Sequence, residues 1–451
     1  MIATTAGALP GCEVRLGASA TPVTGVEMDS RRAGRGALFI AIRGGHAHTG
    51  DARALGCAAV LVEEAHAAGE REGVVLTAPD TIAALQRIGA ANRAASAATV
   101  VGVTGSSGKT STKDVLAALV GAGRRTIAAE EGHNNEIGLP FTLTRIAADT
   151  EVAICELSMR GRGQITELAE LARPEIGVIT NIGEAHLELL GSREAIAAAK
   201  AELLDHVEIA VVPAGEPLLE PHLRDRQSVI TFGEEAGADV RVAGRVAGAA
   251  GMTVTLAVDG RPLEIETNLS GRHHALNLAA AIGVCRALGL DLDACARAAR
   301  GVQLQRWRSE EHPLPGGGLA VNDAYNANPS SMEAALASLA ERPSGGRLVA
   351  VLGVMAELGP DAEALHRRVG AAAAALGYTV VVAVGEPARA YLDGAGDGVE
   401  GHLVPDRDGL VAYLADVLRP GDRVLVKASR SAGLEAVAAG IAARLANGAA
   451  T

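Results

Sequence analysis

The sequence predicts an α/β chain of three domains, with helices covering mostly parallel sheets. Three observations carry this. Short apolar runs alternate with helical patterns along most of the chain, as in βαβ units. Of 451 residues, 48% are hydrophobic but only 2% aromatic, so the core is built from small aliphatics, which suits helices on parallel sheets. A glycine-rich turn, Gly105-Ser106-Ser107-Gly108, joins one buried strand to a helix. A chain of this length exceeds a single core and divides into domains.

The elements follow in order. Residues 1–95 hold strands at Ala37 to Ile42 and Ala58 to Val62, then an amphipathic helix at about Thr81 to Ala95, enough for a small α/β domain. Residues 96–312 open with the strand Val101-Gly102-Val103-Thr104, the glycine-rich turn, and a helix running from Lys109-Thr110 to Val120. Strands at Val152 to Glu156, Ile176 to Asn181 and Ile209 to Val212 imply a parallel sheet. Turn-rich β sequence runs from Ser228 to Leu269, and a helix follows at His274 to Leu288. The Pro and Gly cluster from His312 to Gly318 suggests a boundary. Strands then recur at Leu348 to Leu352, Val380 to Val384 and Val424 to Val426, so residues 313–451 read as a third, doubly wound domain.

Composition excludes several classes. The net charge of −12 argues against a nucleic-acid footprint. The apolar region from Val369 to Val384 is divided at Gly377-Tyr378 into a helix and a strand, each too short to span a bilayer, so no membrane insertion is expected. The N-terminus shows no signal-peptide pattern. The cysteines are Cys12, Cys57, Cys155, Cys285 and Cys295, with no C-x-x-C pair and an odd count. This points to a reducing cytoplasm rather than a disulfide framework.

The glycine-rich turn carries the clearest chemistry. Backbone N–H groups in such a turn cradle phosphate oxygens, and the helix N-terminus adds partial positive charge. Lys109 neutralises terminal phosphates and Thr110 can ligate Mg²⁺. A nucleoside triphosphate is the expected ligand. The general template has a further glycine where Val103 stands, so the loop here is the shorter Gly105 to Thr110. An ordinary strand-to-helix turn with a surface lysine is the plainer alternative.

Other candidates are weaker alone. Glu156 ends a strand, where ligands of parallel sheets gather, and could hold Mg²⁺ or be a surface carboxylate. His186 follows another strand; position alone leaves it structural, solvated or functional. Lys200 stands in an Ala-rich helix and by itself reads as a solvated charge. Asn134-Asn135 and the stretch from Asn322 to Pro329 are polar clusters denser than turning the chain requires.

Together these residues resemble the Mur ligases, ATP-dependent amide-forming enzymes of peptidoglycan synthesis. The resemblance covers nearly the whole chain, in family order: Asp29-Ser30-Arg31, Thr104 to Thr110, His133 to Gly138, Glu156, Asn181 to Glu188, Lys200, His274 to Asn277, Arg306, Asp323 to Pro329 and Lys427 to Ser431. It implies a three-domain architecture with a P-loop central parallel sheet and a Rossmann-like C-terminal domain. It implies ATP bound by Gly105, Ser106, Ser107, Gly108, Lys109, Thr110, Ser111, Asn277, Arg306 and Asp323. Two Mg²⁺ ions would be held by Thr110, Glu156, His186 and a carbamylated Lys200, and Lys109, His186 and Lys200 would serve catalysis. Ser30 and Arg31 would meet the uridine nucleotide, and Asn134 and Asn135 the muramoyl part.

Gly105 to Ser111, Tyr325 to Met332 and Val351 to Gly359 most resemble the member that joins D-alanyl-D-alanine to UDP-N-acetylmuramoyl-tripeptide. Such an enzyme is expected to be a cytoplasmic monomer acting on small molecules. The alternatives are a relative adding a single amino acid, one resembling folylpolyglutamate synthase, and a non-catalytic nucleotide-binding protein. Three departures stand out. The region Gly44 to Asp51 lacks the usual Asp-Gly-His stretch. Val354 stands where many relatives have Asp, and Ala428 where Gly is usual, so no dipeptide contact is assigned there.

Overall fold

The computed structural model describes residues 1–448 apart from 225, 227, 249 and 344. Packing divides the chain into two units. The first comprises residues 1–104, 123–178 and 202–210, and the second residues 105–122, 179–201 and 211–451.

In the first unit, five strands lie in the order Glu13–Leu16, Val75–Ala78, Ala59–Glu63, Ala37–Ile40, Gly25–Glu27. The first pair is antiparallel and the others are parallel, with Leu38 opposite Ala59 and Leu61 opposite Leu76. Alternation sends Leu38, Ile40, Leu61 and Leu76 to one face, against Ala84, Leu85 and Ile88 of the Thr81–Ala94 helix. Phe39, Val60, Val62 and Val75 fill the other face with Ala52. Each large aliphatic buried in this way stabilises by roughly 1.5–3 kcal/mol. Asp80 caps the helix through Ile82 N at 2.7 Å and Ala83 N at 3.3 Å. Near its other end, Asn92 donates to Leu143 O and Ile146 O at 2.8 and 2.9 Å, and Arg93 to Ala172 O at 2.9 Å. The chain around residue 95 is therefore anchored, not a loose linker. Strands Thr99–Thr104, Val152–Glu156 and Thr126–Ala128 pair in parallel, which brings Glu156 to the carboxyl end of its strand.

The second unit begins with the turn and the Lys109–Gly121 helix. Val240–Gly248, Gly251–Val258 and Arg261–Thr267 form an antiparallel meander beside Val229–Gly233, in the stretch expected to be β-rich. The Arg272–Ala287 helix follows. A six-stranded sheet then runs Glu310–Leu314, Gly318–Asn322, Arg423–Lys427, Leu348–Gly353, Val380–Val384, Glu400–Val404. Only its first pair is antiparallel. Pro329–Ala340 and Ala362–Ala375 cover one face, and Leu410–Val417 and Val437–Gly448 the other.

The Pro and Gly cluster differs from the expectation. Glu310–Leu314 pairs with Gly318–Asn322, so the cluster turns a hairpin within this sheet rather than marking a boundary. Gly316 sits at φ 71°, where a Cβ would meet Pro420 Cβ at 2.6 Å. Turn chemistry and linker chemistry use the same residues, and local sequence does not separate them. The carboxyl ends of the parallel strands lead into Asp323, Val354 to Gly359 and Ala428 to Ser431.

Candidate active site

The glycine-rich loop is built on two glycines. Gly105 has φ 146°, and a Cβ there would fall 1.8 Å from Thr180 Oγ1. Gly108 has φ 78° just before the helix, and its Cβ would lie 3.0 Å from Asn277 Oδ1. Neither position accepts a side chain without rearrangement. Residues 180–183 brace the loop. Ser106 N donates to Asn181 O and Ser107 N to Asn181 Oδ1, both at 3.0 Å. Asn181 Nδ2 donates to Ser107 Oγ at 2.6 Å, Gly183 N to Ser106 Oγ at 2.8 Å, and Thr180 Oγ1 to Ser107 O at 2.5 Å. Lys109 Nζ reaches back across the turn to Gly105 O at 2.8 Å. Thr110 and Ser111 are buried in the first helical turn.

Lys200 departs from the solvated charge that its local sequence suggests. It is 1% exposed on the Arg193–Ala201 helix and makes no hydrogen bond or ion pair among the described residues. Burial, and then the nearby Lys109 charge, hold its amine well below the usual lysine range. The helix is Ala-rich because Ala195, Ile196, Ala197 and Ala199 are buried with it. His186 stands at φ 65° as the cap of a short helix. Its Nδ1 lies 2.7 Å from Glu357 Oε2. Burial and Lys109 hold its imidazole below the ordinary range, against the opposing pull of Glu357.

Asn277 lies beside the loop, with Nδ2 3.4 Å from His274 Nδ1. Arg306 and Asp323 line one cavity of about 540 Å³, together with His274, Arg308 and Arg342. Asp323 accepts from Lys427 Nζ at 2.5 Å and from Ser309 N at 3.1 Å. Arg308 lines the same cavity and was not singled out in the sequence. Its guanidinium stacks over Tyr325 at 4.1 Å, and its buried Nε has no partner among the described residues. The available sequence signal was a second arginine two residues beyond Arg306.

In the first unit, Glu156 accepts from Asn134 Nδ2 at 2.9 Å, and Ser158 Oγ donates to Asn134 O at 2.9 Å. Asn135 is engaged locally: its Oδ1 accepts from Ile137 N at 3.2 Å and Gly138 N at 3.0 Å, which starts the Gly138–Thr144 helix. Ser30 and Arg31 begin a short helical turn capped by Asp29. Asp29 also grips the Arg31 guanidinium at 2.9 and 2.7 Å, and that hydrogen bonding holds its carboxyl down at about 2.

The donor set suits a hard cation in one respect and opposes it in another. Carboxylate and hydroxyl oxygens suit Mg²⁺. No cluster of three His, Cys, Asp or Glu occurs among the described residues, and an ammonium at Lys200 would repel a cation. A buried, neutral Lys200 amine can instead react with CO₂, which gives an anionic oxygen ligand. The residues therefore fit the metal once that lysine is carbamylated.

Residues 103–285 match the Mur ligase middle domain, and residues 307–430 match the family described as Mur ligase, glutamate ligase domain. The chain belongs to the Mur ligase family. It is 39% identical to a UDP-N-acetylmuramoyl-tripeptide--D-alanyl-D-alanine ligase of Synechocystis sp., over 91% of this chain and 90% of the relative. It is 32% identical to the Bacillus subtilis protein of the same name, over 92% and 93%. Among solved structures it resembles MurF from Acinetobacter baumannii, with TM-score 0.82 and 27% identity over 94% of each chain. MurF ligase from Thermotoga maritima in complex with ADP gives TM-score 0.81 and 26% identity, over 94% of this chain and 98% of that one.

Proposed function

We propose that this chain is an ATP-dependent ligase that joins D-alanyl-D-alanine to UDP-N-acetylmuramoyl-tripeptide, a step of cytoplasmic peptidoglycan precursor synthesis, and that it acts as a monomer. The observation that carries the reading is near-full-length identity of 39% to a relative bearing that name, in a chain whose phosphate loop is braced by residues 180–183. Residues 1–95 would take the muramoyl substrate through Ser30 and Arg31, residues 96–312 the nucleotide, and residues 313–451 would complete the site with Asp323.

The chemistry divides into two displacements. The terminal carboxylate of the tripeptide attacks the γ-phosphoryl of ATP, giving an acyl phosphate and ADP. The amine of the dipeptide then attacks the acyl carbon, loses a proton, and phosphate leaves as the amide forms. Neither step needs covalent bonding to the protein, so positioning and charge stabilisation dominate. Lys109 would leave Gly105 O for the β- and γ-phosphates, while the loop amides and helix N-terminus hold the same oxygens. Asn277, Arg306 and Asp323 would contact the nucleotide. Thr110, Glu156, His186 and the Lys200 carbamate would hold two Mg²⁺ ions, which supply Lewis-acid stabilisation of the phosphoryl oxygens.

Phosphate release should require the muramoyl tripeptide, ATP and D-alanyl-D-alanine together, and mass spectrometry should find the pentapeptide. Full ATP turnover without any muramoyl substrate would remove the ligase reading. A different amine in the product would reassign the acceptor.

A further inference from the structure

Two residues that are not glycine stand in left-handed backbone and face each other: His186 at φ 65° and Glu357 at φ 60°. Their side chains meet at 2.7 Å, Nδ1 to Oε2. Left-handed backbone is costly for side-chain-bearing residues and persists only where neighbours enforce it. The loop carrying Glu357 is enforced from below. Met355 N donates to Nε2 of the buried His366 at 3.0 Å, and Ala356 N to Oγ of the buried Ser429 at 2.9 Å. Ser429 N donates back to Val354 O at 3.0 Å. On the facing side, Glu184 takes both ends of the Arg368 guanidinium at 2.8 Å, and Glu333 holds its Nε at 2.9 Å. Gly359, also left-handed at φ 65°, has no room for a side chain beyond contact: its Cβ would lie 3.3 Å from Glu188 Cβ.

A surface ion pair would not require two strained backbones and a clamped loop. We infer that Glu357 is a positioning residue that fixes the ring and tautomer of His186. Its carboxylate accepts the Nδ1 proton, which leaves Nε2 as the lone-pair nitrogen for a metal. A carboxylate behind a ligating histidine orients the ring and raises its basicity, and its loss commonly weakens metal binding 10- to 100-fold. Binding of the divalent ion is then coupled to seating of the 353–359 loop. This inference rests on the reading of His186 as a metal ligand.

The test uses the full chain with Mn²⁺ as probe and a non-hydrolysable ATP analogue, with free Mn²⁺ counted by electron paramagnetic resonance. His186→Ala should lose affinity at one of two Mn²⁺ sites. Glu357→Gly should weaken the same site about 10-fold, with no fall in melting temperature, because glycine accepts the left-handed backbone. Glu357→Gln, whose amide oxygen can still accept from Nδ1, should fall between Glu357→Gly and wild type. Unchanged Mn²⁺ affinity in Glu357→Gly and Glu357→Gln, beside a weakened His186→Ala, would overturn the inference and leave the ligand reading standing. Unchanged affinity in His186→Ala itself would overturn the ligand reading.

Discussion

Lys200 sets the strictest chemical condition at the scale of a single residue. A buried lysine without a counter-charge is unfavourable as an ammonium, and its lowered pKa expresses that. As a neutral amine it is the form that attacks CO₂, losing a proton as the carbamate forms. Chain soaked in ¹³C-bicarbonate should show one carbamate carbon resonance that is absent in Lys200→Ala, and a short carboxylic acid should restore part of that variant's activity. A resonance that persists in Lys200→Ala would place the carbamate elsewhere. The lysine also shows where sequence reading stops. An Ala-rich helix with one charge has the same pattern whether the charge faces water or the interior, because alanine marks neither face strongly. Arg308 was passed over for a related reason: its contact is with Tyr325, seventeen positions away in sequence, lying under its guanidinium. The glycine-rich turn between strand and helix was legible because its pattern is local, with glycines, lysine, hydroxyl and helix in one continuous run.

At the scale of elements, the Arg272–Ala287 helix carries the group that most directly ties stability to pH. Burial pushes His273 down to about 4, and drives the neighbouring His274 well below its ordinary range. Nδ1 of the first and Nε2 of the second are buried without partners among the described residues. Asp323 pulls the His273 pKa up while Lys427 pushes it down, so their effects oppose. The folded pKa lies below the unfolded value near 6.5, so the unfolded chain takes up the proton first. Stability from this source is fully present above pH 6.5 and is lost as pH falls toward 4. One such histidine amounts to on the order of 2–3 kcal/mol across that window. Urea unfolding at pH 7.5, 6 and 5 should show this loss, with a shallower acid slope in His273→Gln. An identical slope in the variant would assign the acid sensitivity to other groups. Elements were read well where periodicity decides them. The strand Val152–Glu156 and the strand Val380–Val384 have the bounds the sequence implied, since continuous apolar runs bounded by polar residues leave little choice. The hairpin Glu310–Leu314 with Gly318–Asn322 was hidden because Pro313 and the three glycines read as a domain boundary, while the pairing that makes them a turn lies across strands.

At the scale of the whole molecule, two departures that local sequence left apart come together. Val354 and Ala428 follow the neighbouring parallel strands Leu348–Gly353 and Arg423–Lys427. Ser429 N donates to Val354 O at 3.0 Å, and a Cβ on Gly353 would lie 2.7 Å from Ala428 Cβ. Val354 and Ala428 therefore share one corner. Under the proposed function, D-alanyl-D-alanine should be the efficient acceptor, and D-glutamate or a diamino acid should react poorly. A single D-alanine should also be poor, because groups arranged for a second peptide unit would be left unpaired, an omission that can reduce kcat/KM by 10⁴ or more. Competition between these amines at one fixed UDP-muramoyl tripeptide, with products weighed by mass spectrometry, measures the ranking directly. If a single amino acid outcompeted the dipeptide, the acceptor assignment would fall, while the phosphoryl-transfer chemistry of the loop would stand.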